Sequence, residues 1–231
     1  MLSVRDYARV RTAITAGSTV ALRTRSYTSA QRDRVDRVLS LYLYELGLVH
    51  LHNNLAYCVH ELAGNARNAL LKRIWFAEQH LDITDRGVYR DYVPVFRHDI
   101  TRERDRYLGL LERSGYAIRF LFAHSAEQIW ITVENNTPLL PIEHERIEEK
   151  LAAGRLYRSM ADAYAALSDF SEGAGLGIAM VLVILRTLGL SPDSLILGDC
   201  STAEGVTRSV ITLERADVGR PRKPVATGGT P

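Results

Sequence analysis

The chain has little cysteine and no large excess of charge of either sign. Its two cysteines, Cys58 and Cys200, lie far apart without the short spacing of metal-binding pairs, and they fit small buried thiols in a reducing compartment. The 29 Lys and Arg residues nearly balance the 27 Asp and Glu residues, which leaves a net charge of +2. This balance gives no reason to expect a nucleic acid as partner.

Long hydrophobic runs are also missing. The longest run, residues 178–185, is far shorter than the ~20 residues that a membrane-spanning helix needs. The first seven residues lack the apolar core of a signal peptide. We therefore expect a cytoplasmic protein that does not contact a membrane, and the sequence shows no internal repeat.

What is present is ordinary for a globular protein. The 231 residues are 46% hydrophobic and 24% charged, enough for one domain or for one domain with an insertion. Arginines alternate with acids at 31–37 and 101–106, a pattern typical of solvated helix faces. The predicted organisation is an N-terminal segment with a possible strand (1–28), one domain (29–215) with a helical insertion at about 81–114, and a disordered tail (216–231).

Hydrophobic periodicity predicts both helices and strands within the domain. The resulting fold class is α/β, a two-layer sandwich of one sheet with helices packed on one face. The predicted helices are 30–50, 55–80, 142–151 and 176–188, and the predicted strands are 20–27, 116–123, 128–133, 194–198 and 206–213.

A glycine-rich segment at residues 171–178 is the most informative motif. Gly173, Gly175 and Gly177 are spaced G-x-G-x-G, and an apolar helix is predicted to begin directly afterwards. Glycines let the backbone approach a ligand closely, and the N-terminus of a helix presents free N–H groups and a positive dipole end. The segment is therefore a candidate phosphate-binding loop, although glycine-rich helix starts also occur for packing reasons.

Three polar residues share one side of the predicted helix at 55–80. Glu61, Asn65 and Asn68 are four and three residues apart, so their side chains lie on the same face. A carboxylate and a carboxamide one turn apart suit a bound water and Mg²⁺, which prefers oxygen ligands. A solvated polar stripe is the alternative interpretation of this spacing.

Together these motifs resemble those of the GHKL ATPases, the superfamily of the histidine kinases and DNA gyrase B. Residues 61–69 resemble its N-box, residues 173–177 its second glycine box, and residues 129–138 stand where the first glycine box is expected. The resemblance covers roughly residues 30–215. It implies the Bergerat fold, with a mixed β-sheet and helices on one face, a mobile lid near residues 154–170, and ATP and Mg²⁺ as ligands.

The resemblance also implies a role for each matching residue. Asn65 would ligate Mg²⁺, Glu61 would be the catalytic general base, and Asn68 would make a supporting hydrogen bond. Asn135 would stand in for the aspartate that binds the adenine amino group. The nucleotide-binding set is completed by the glycine-rich segment, with Gly173, Gly175, Leu176 and Gly177 at the phosphates.

The first glycine box departs from the family pattern at two positions. Asn135 replaces the aspartate and Thr137 replaces the following glycine. A carboxylate accepts a stronger hydrogen bond than an amide, so the change costs on the order of 1–3 kcal/mol, or about ten- to hundredfold in affinity. Glu134 is one residue earlier and would point to the opposite face of a strand.

Three functions are compatible with these motifs. The first is an ATP-binding signalling module of histidine-kinase type that acts on a protein partner, with kinase or ATPase activity if it is active. His60 lies within the N-box helix and is not expected to be the phospho-acceptor. The second is a conformational-switch ATPase of the gyrase and MutL type, and the third is a pseudo-ATPase scaffold that has lost tight nucleotide binding.

Overall fold

The computed structural model describes residues 4–157, 159, 161–163, 176–199 and 205–218. Within these ranges five strands and eight α-helices are present, together with 3₁₀ turns at Val49–Leu51 and Pro192–Ser194. In chain order the elements are α1 (Val4–Thr15), β1 (Val20–Thr24), α2 (Ser29–Glu45), α3 (His52–Glu78), α4 (Arg86–Arg102), α5 (Arg104–Arg113), β2 (Ile118–His124), β3 (Gln128–Asn135), α6 (Pro141–Leu156), α7 (Leu176–Thr187), β4 (Leu195–Asp199), β5 (Thr207–Glu214) and α8 (Arg215–Val218).

The five strands form one sheet with the order β1-β2-β3-β5-β4. All four pairings among the described strands are antiparallel, so the prediction of a mixed sheet was wrong. The physical reason is the position of β5. Strands β3 and β4, which α6 and α7 connect, run in the same direction, but β5 lies between them and pairs antiparallel with both.

One face of the sheet is buried and the other is partly open. Alternate residues of β3, namely Ile129, Ile131 and Val133, belong to the core, and helices α2 and α3 pack over this face. This arrangement confirms the predicted α/β sandwich at the level of its two layers. Asn135 continues the same alternation and therefore points toward the helices.

Glu134 lies on the opposite face, as its position in the strand predicts. Its carboxylate is only 1% exposed because Arg119 of β2 and Arg208 of β5 cover it from both sides. The Nε of Arg208 lies 2.9 Å from Oε2 of Glu134. Glu134 is thus committed to a cross-strand ion network and does not replace a carboxylate at position 135.

Residues 81–114 contain two helices, α4 and α5, that pack against the C-terminal half of α3. An aromatic cluster forms this contact, and the Trp75 indole also donates a 3.0 Å hydrogen bond to Asp99. Buried aromatic pairs stabilise such contacts beyond their area. The cluster comprises Trp75, Phe76, Tyr89, Tyr92 and Phe96.

The two ends of the described chain differ from expectation. Helix α1 was not predicted; it buries Val10 and Ala13, and Asp6 accepts hydrogen bonds from Arg34 of α2. At the other end, residues 216–218 belong to α8 although the disordered tail was predicted to begin at 216, and residues 219–231 lie outside the described ranges. No helix within those ranges is both long enough and apolar enough to cross a bilayer.

Candidate functional site

A cleft of about 1270 Å³ opens between α3, the insertion helix α4, α6 and the start of α7. Five of the predicted site residues line it together: Glu61, Asn65 and Asn68 from α3, Asn135 from the end of β3, and Gly177 from the first turn of α7. Leu176 is the first residue of α7. Gly173 and Gly175, and most of the predicted lid, lie outside the residues that the structure describes.

Helix α3 presents its polar stripe to the cleft as the spacing predicts. Asn65 and Asn68 are exposed, whereas Glu61 is half-buried and has no hydrogen-bond or ion-pair partner among the described residues. Burial raises the pKa of the Glu61 carboxyl, and Arg32 opposes this shift. A carboxylate without a partner is available to a cation, a water or a reacting group.

Gly177 brings the first turn of α7 against Glu61. A Cβ built on Gly177 would overlap the carboxylate oxygen Oε2 of Glu61, so only glycine fits here without a shift. The N-terminal end of α7 therefore lies directly over the polar stripe of α3. A larger residue at position 177 would displace the end of the Glu61 side chain.

One end of the cleft is apolar. Four aliphatic side chains line it, and the backbone of Gly198 closes it with φ +71°, where a Cβ would meet Leu139 at 2.7 Å. An apolar wall of this kind suits a flat ring, because ligand pockets combine apolar surface with a few polar groups that fix orientation. The aliphatic residues are Val133, Leu139, Ile147 and Leu197.

Asn135 is the polar group at this apolar end, and it is only 4% exposed. Its Oδ1 accepts hydrogen bonds from the backbone N–H of Thr137 at 3.2 Å and from the Thr137 hydroxyl at 2.7 Å. Because a backbone N–H can only donate, these contacts identify the oxygen of the amide. Thr207, paired with Asn135 in the sheet, donates to the carbonyl oxygen of Thr137 at 2.7 Å.

The rest of the cleft is strongly cationic. Six of its lining cations make no ion pair among the described residues, whereas Lys72, a seventh, is paired with Glu143. Only two acids, Glu61 and Glu143, line the cleft in the described part of the chain. The six unpaired cations are Arg32, Arg67, Arg97, Arg104, Arg146 and Lys150.

These cations form two groups. Burial, then the nearby charges of Arg104 and Arg32, lowers the pKa of Arg67, and these three residues lie toward the Glu61 end. We call them the Arg67 group. Like charges placed close together without a carboxylate partner raise the free energy of the unliganded cleft, and a bound anion lowers it.

The second group surrounds Lys150 on α6. Burial, then the charges of Arg146, Arg97 and Lys72, lowers the pKa of Lys150 to about 8. We call the three unpaired members, Arg97, Arg146 and Lys150, the Lys150 group. All three are half-buried rather than extended into solvent.

A buried ion cluster fixes α6 against α3 beside the Lys150 group. Glu143 is buried and pairs with Lys72 and with Arg73, whose Nη2 lies 2.8 Å from Oε2. Burial alone would raise the pKa of Glu143, but the two cations outweigh it and lower the pKa to about 2. Lys72 also donates a 2.6 Å hydrogen bond to the Tyr89 hydroxyl of α4.

His60 lies beside the cleft and is held by two neighbours. Its Nδ1 is 2.5 Å from the Tyr27 hydroxyl, and its Nε2 is 3.6 Å from Asp36. Burial, reinforced by Arg32, lowers the His60 pKa against the pull of Asp36. The backbone of Tyr27 has φ 49°, an uncommon value for a residue with a side chain, at the wall of the Glu61 end.

Sequence reasoning missed most of the cleft's cations. Lys72 continues the stripe of Glu61, Asn65 and Asn68 at helical spacing, and this signal could have identified it. Arg32 and Arg104 are exposed, as expected for arginines in mixed runs, but they line the cleft rather than an unrelated surface. In the Lys150 group, the four-residue spacing of Arg146 and Lys150 on α6 is a local signal, but no local pattern could place Arg97 of α4 beside them.

Comparisons with known proteins provide little beyond the geometry. The chain is 31% identical over 188 residues to an uncharacterized protein of Treponema pallidum (strain Nichols). The match covers 81% of this chain but only 37% of that relative's length. No family model and no solved structure matches the chain.

Proposed function

We propose that the protein is an ATP-binding signalling module of histidine-kinase type, built on a Bergerat fold, which acts on or through a partner protein. One observation carries the proposal. The same cleft combines an aliphatic wall with a buried amide, a set of cations without ion-pair partners among the described residues, and the oxygen-rich stripe of α3. A purine nucleotide needs this combination for its ring, its phosphates and the Mg²⁺ ion that it carries.

At the apolar end, the adenine ring would lie against the aliphatic wall with its edge toward Asn135 and Thr207. At the other end, the phosphates would approach Arg32, Arg67 and the N-terminal end of α7 at Gly177. Charge-assisted hydrogen bonds from guanidinium groups are among the strongest available to phosphate. The N-terminus of a helix adds a favourable dipole and free N–H groups that can donate hydrogen bonds to phosphate.

The residues present also fit Mg²⁺. No three His, Cys, Asp or Glu side chains cluster as metal ligands within the described ranges, but Mg²⁺ commonly uses one or two protein oxygens and completes its shell with phosphate and water. Asn65 would supply one oxygen, and the unpartnered carboxylate of Glu61 lies one turn away. When bound, the ion would neutralise phosphate charge.

Glu61 is the residue that we expect to move a proton. Its raised pKa keeps it a better base than an ordinary surface carboxylate, and no competing partner holds it. It would orient a water or a partner's acceptor group toward the terminal phosphate. A Glu in this position equally suits an ATPase of the gyrase and MutL type.

A second candidate is a pseudo-ATPase that serves as a scaffold. The observation in its favour is that Oδ1 of Asn135 already accepts two hydrogen bonds from Thr137. The atom of this amide that remains for a ligand is a donor, whereas the adenine amino group needs an acceptor. Nucleotide affinity then depends on the cationic end alone.

A thermal-shift titration with Mg-ATP separates the two. A ligand that binds only the native state stabilises it by RT ln(1 + [L]/Kd), about 2.7 kcal/mol at a hundredfold excess over Kd. The signalling module predicts a rising melting temperature with Mg-ATP and a smaller rise with Mg-triphosphate. A flat melting temperature at millimolar Mg-ATP, or equal rises with the two ligands, would contradict the proposal and support the scaffold.

A further inference from the structure

The Lys150 group lacks a counter-charge in the described part of the chain. Arg97 of α4 and Arg146 and Lys150 of α6 are half-buried in the cleft wall, and none of them makes an ion pair there. Withdrawing cations from water costs free energy, and placing three of them together adds repulsion. Such an arrangement is unfavourable unless an anion completes it.

Neighbouring acids do not supply that anion. Glu143 is paired with Lys72 and Arg73, Glu145 is paired with Arg86, and Asp99 accepts from the Trp75 indole. Two further acids on α6, Glu148 and Glu149, are exposed and make no ion pair within the described ranges. The counter-charge is therefore external to this part of the chain.

The group also lies away from the expected phosphate end. Lys72, whose charge acts on Lys150, is eleven residues after Glu61 on α3, which is about 16 Å along the helix axis at 1.5 Å per residue. The ring of Tyr89 marks this end of the cleft, with Lys72 Nζ 5.0 Å and Arg146 Cζ 6.0 Å from its centroid. Phosphates held at Asn65 and at the N-terminal end of α7 leave these cations unused.

We propose that Arg97, Arg146 and Lys150 form an anion-binding subsite. It would bind a phosphoryl group other than the nucleotide phosphates near Glu61. Two guanidinium forks and one ammonium match the several acceptor oxygens of a phosphoryl group better than the two of a carboxylate. The half-buried position favours a compact group on a small molecule. That group is carried either on the ribose of the same nucleotide or by a separate phosphorylated molecule.

Calorimetric titration of the full chain tests the subsite with inorganic phosphate as the probe. Lys150→Gln and, separately, Arg146→Gln are expected to weaken phosphate binding about tenfold or more. Arg90→Gln is the matched control, since Arg90 is an exposed arginine of α4 that does not line the cleft, and it should change the affinity less than twofold.

Two further titrations distinguish the sources of the phosphoryl group. If the ribose carries it, adenosine 3′,5′-bisphosphate should bind more tightly than AMP, and Lys150→Gln should abolish the difference. If a separate molecule carries it, inorganic phosphate should still bind when the protein is saturated with AMP, and Lys150→Gln should weaken that binding. Either result supports the subsite.

The proposal also predicts a rise in thermal stability without ligand. Removing one of three mutually repelling cations should raise the melting temperature of Lys150→Gln in phosphate-free buffer. The melting transition also shows that the variant folds.

The subsite is overturned if inorganic phosphate does not bind at millimolar concentration, or if Arg90→Gln weakens phosphate binding as much as Lys150→Gln does. It is also overturned if Lys150→Gln weakens the binding of ATP as strongly as the binding of inorganic phosphate, because a single site would then bind both ligands. The phosphate titration does not require ATP binding, so its failure is distinct from failure of the nucleotide proposal.

Discussion

Individual residues decide the chemistry of the cleft. Glu61 is a half-buried carboxylate with no partner among the described residues, whereas Glu134 and Glu143 are fully committed to arginine and lysine partners. Asn135 has its oxygen engaged by Thr137. A polar side chain can act on a ligand when it has no hydrogen-bond or ion-pair partner within the protein, and residue type alone does not show this.

Glu61→Gln should abolish nucleotide turnover and retain Mg-ATP binding. The amide has nearly the same shape but no basic oxygen, so a proton-transfer role predicts a loss of about 10²- to 10⁴-fold in rate. Turnover is measured by phosphate release and binding by calorimetry. Glu149→Gln, an exposed substitution on α6, is the matched control and should retain full turnover. Retained turnover in Glu61→Gln would show that another group is the base.

Asn135→Asp should tighten ATP binding about tenfold, because a carboxylate keeps both contacts to Thr137 and adds charged acceptor capacity toward the adenine amino group. Calorimetry measures the affinity. Asn136→Asp adds the same charge one residue later, on an exposed side chain bonded to Ala117 and Gly115, and should leave the affinity unchanged. An unchanged or lower affinity in Asn135→Asp would mean that the base does not approach this position.

Lys150 should take up a proton when phosphate binds near pH 8. Burial and the charges of Arg146 on α6, Arg97 on α4 and Lys72 on α3 depress its pKa to about 8, so a fraction of the molecules carries neutral Lys150 at that pH. A bound anion raises the pKa again and restores the charge. Titrations in buffers of different ionisation enthalpy report the uptake. Uptake that persists in Lys150→Gln would assign the proton to another group.

At the scale of elements, the cleft exists because three helices meet over the end of the sheet. Helix α3 spans 27 residues and supplies the polar stripe, α4 adds Arg97 through the aromatic contact at Trp75, and α6 is joined to α3 by Glu143. Each contact fixes the position of the residues that line the cleft. The contact between α3 and α6 is electrostatic, so it depends on pH.

Acid should weaken this contact through Glu143. Its pKa is about 2 in the folded protein against an ordinary value of 4.5, so its stabilising contribution is complete above pH 4.5 and is lost as the pH falls toward 2. Urea denaturation at pH 5 and pH 3 measures the loss. Glu143→Gln should be destabilised by roughly 3 kcal/mol at neutral pH, since it leaves Lys72 and Arg73 without their carboxylate, and should lose less stability on acidification. If both proteins lose the same stability on acidification, a group other than Glu143 causes the loss.

At the scale of the whole molecule, local patterns predicted the layers and one side of the site. The spacing of Glu61, Asn65 and Asn68 places them together because helical periodicity is a local property. The position of β5 between β3 and β4 depends on long-range pairing, and this is why the sheet is antiparallel where a mixed sheet was expected. The net charge of +2 likewise gives no sign of the six cleft cations that make no ion pair within the described ranges.

The central claim is that one nucleotide lies along this cleft with its base at Asn135 and its phosphates at Asn65. A crystal structure of the full chain with a non-hydrolysable Mg-ATP analogue tests it most directly. We expect the purine ring against Leu139 and Ile147, and the phosphates between Asn65 and Gly177. A nucleotide bound outside the cleft, or with its base at the Glu61 end, would contradict it.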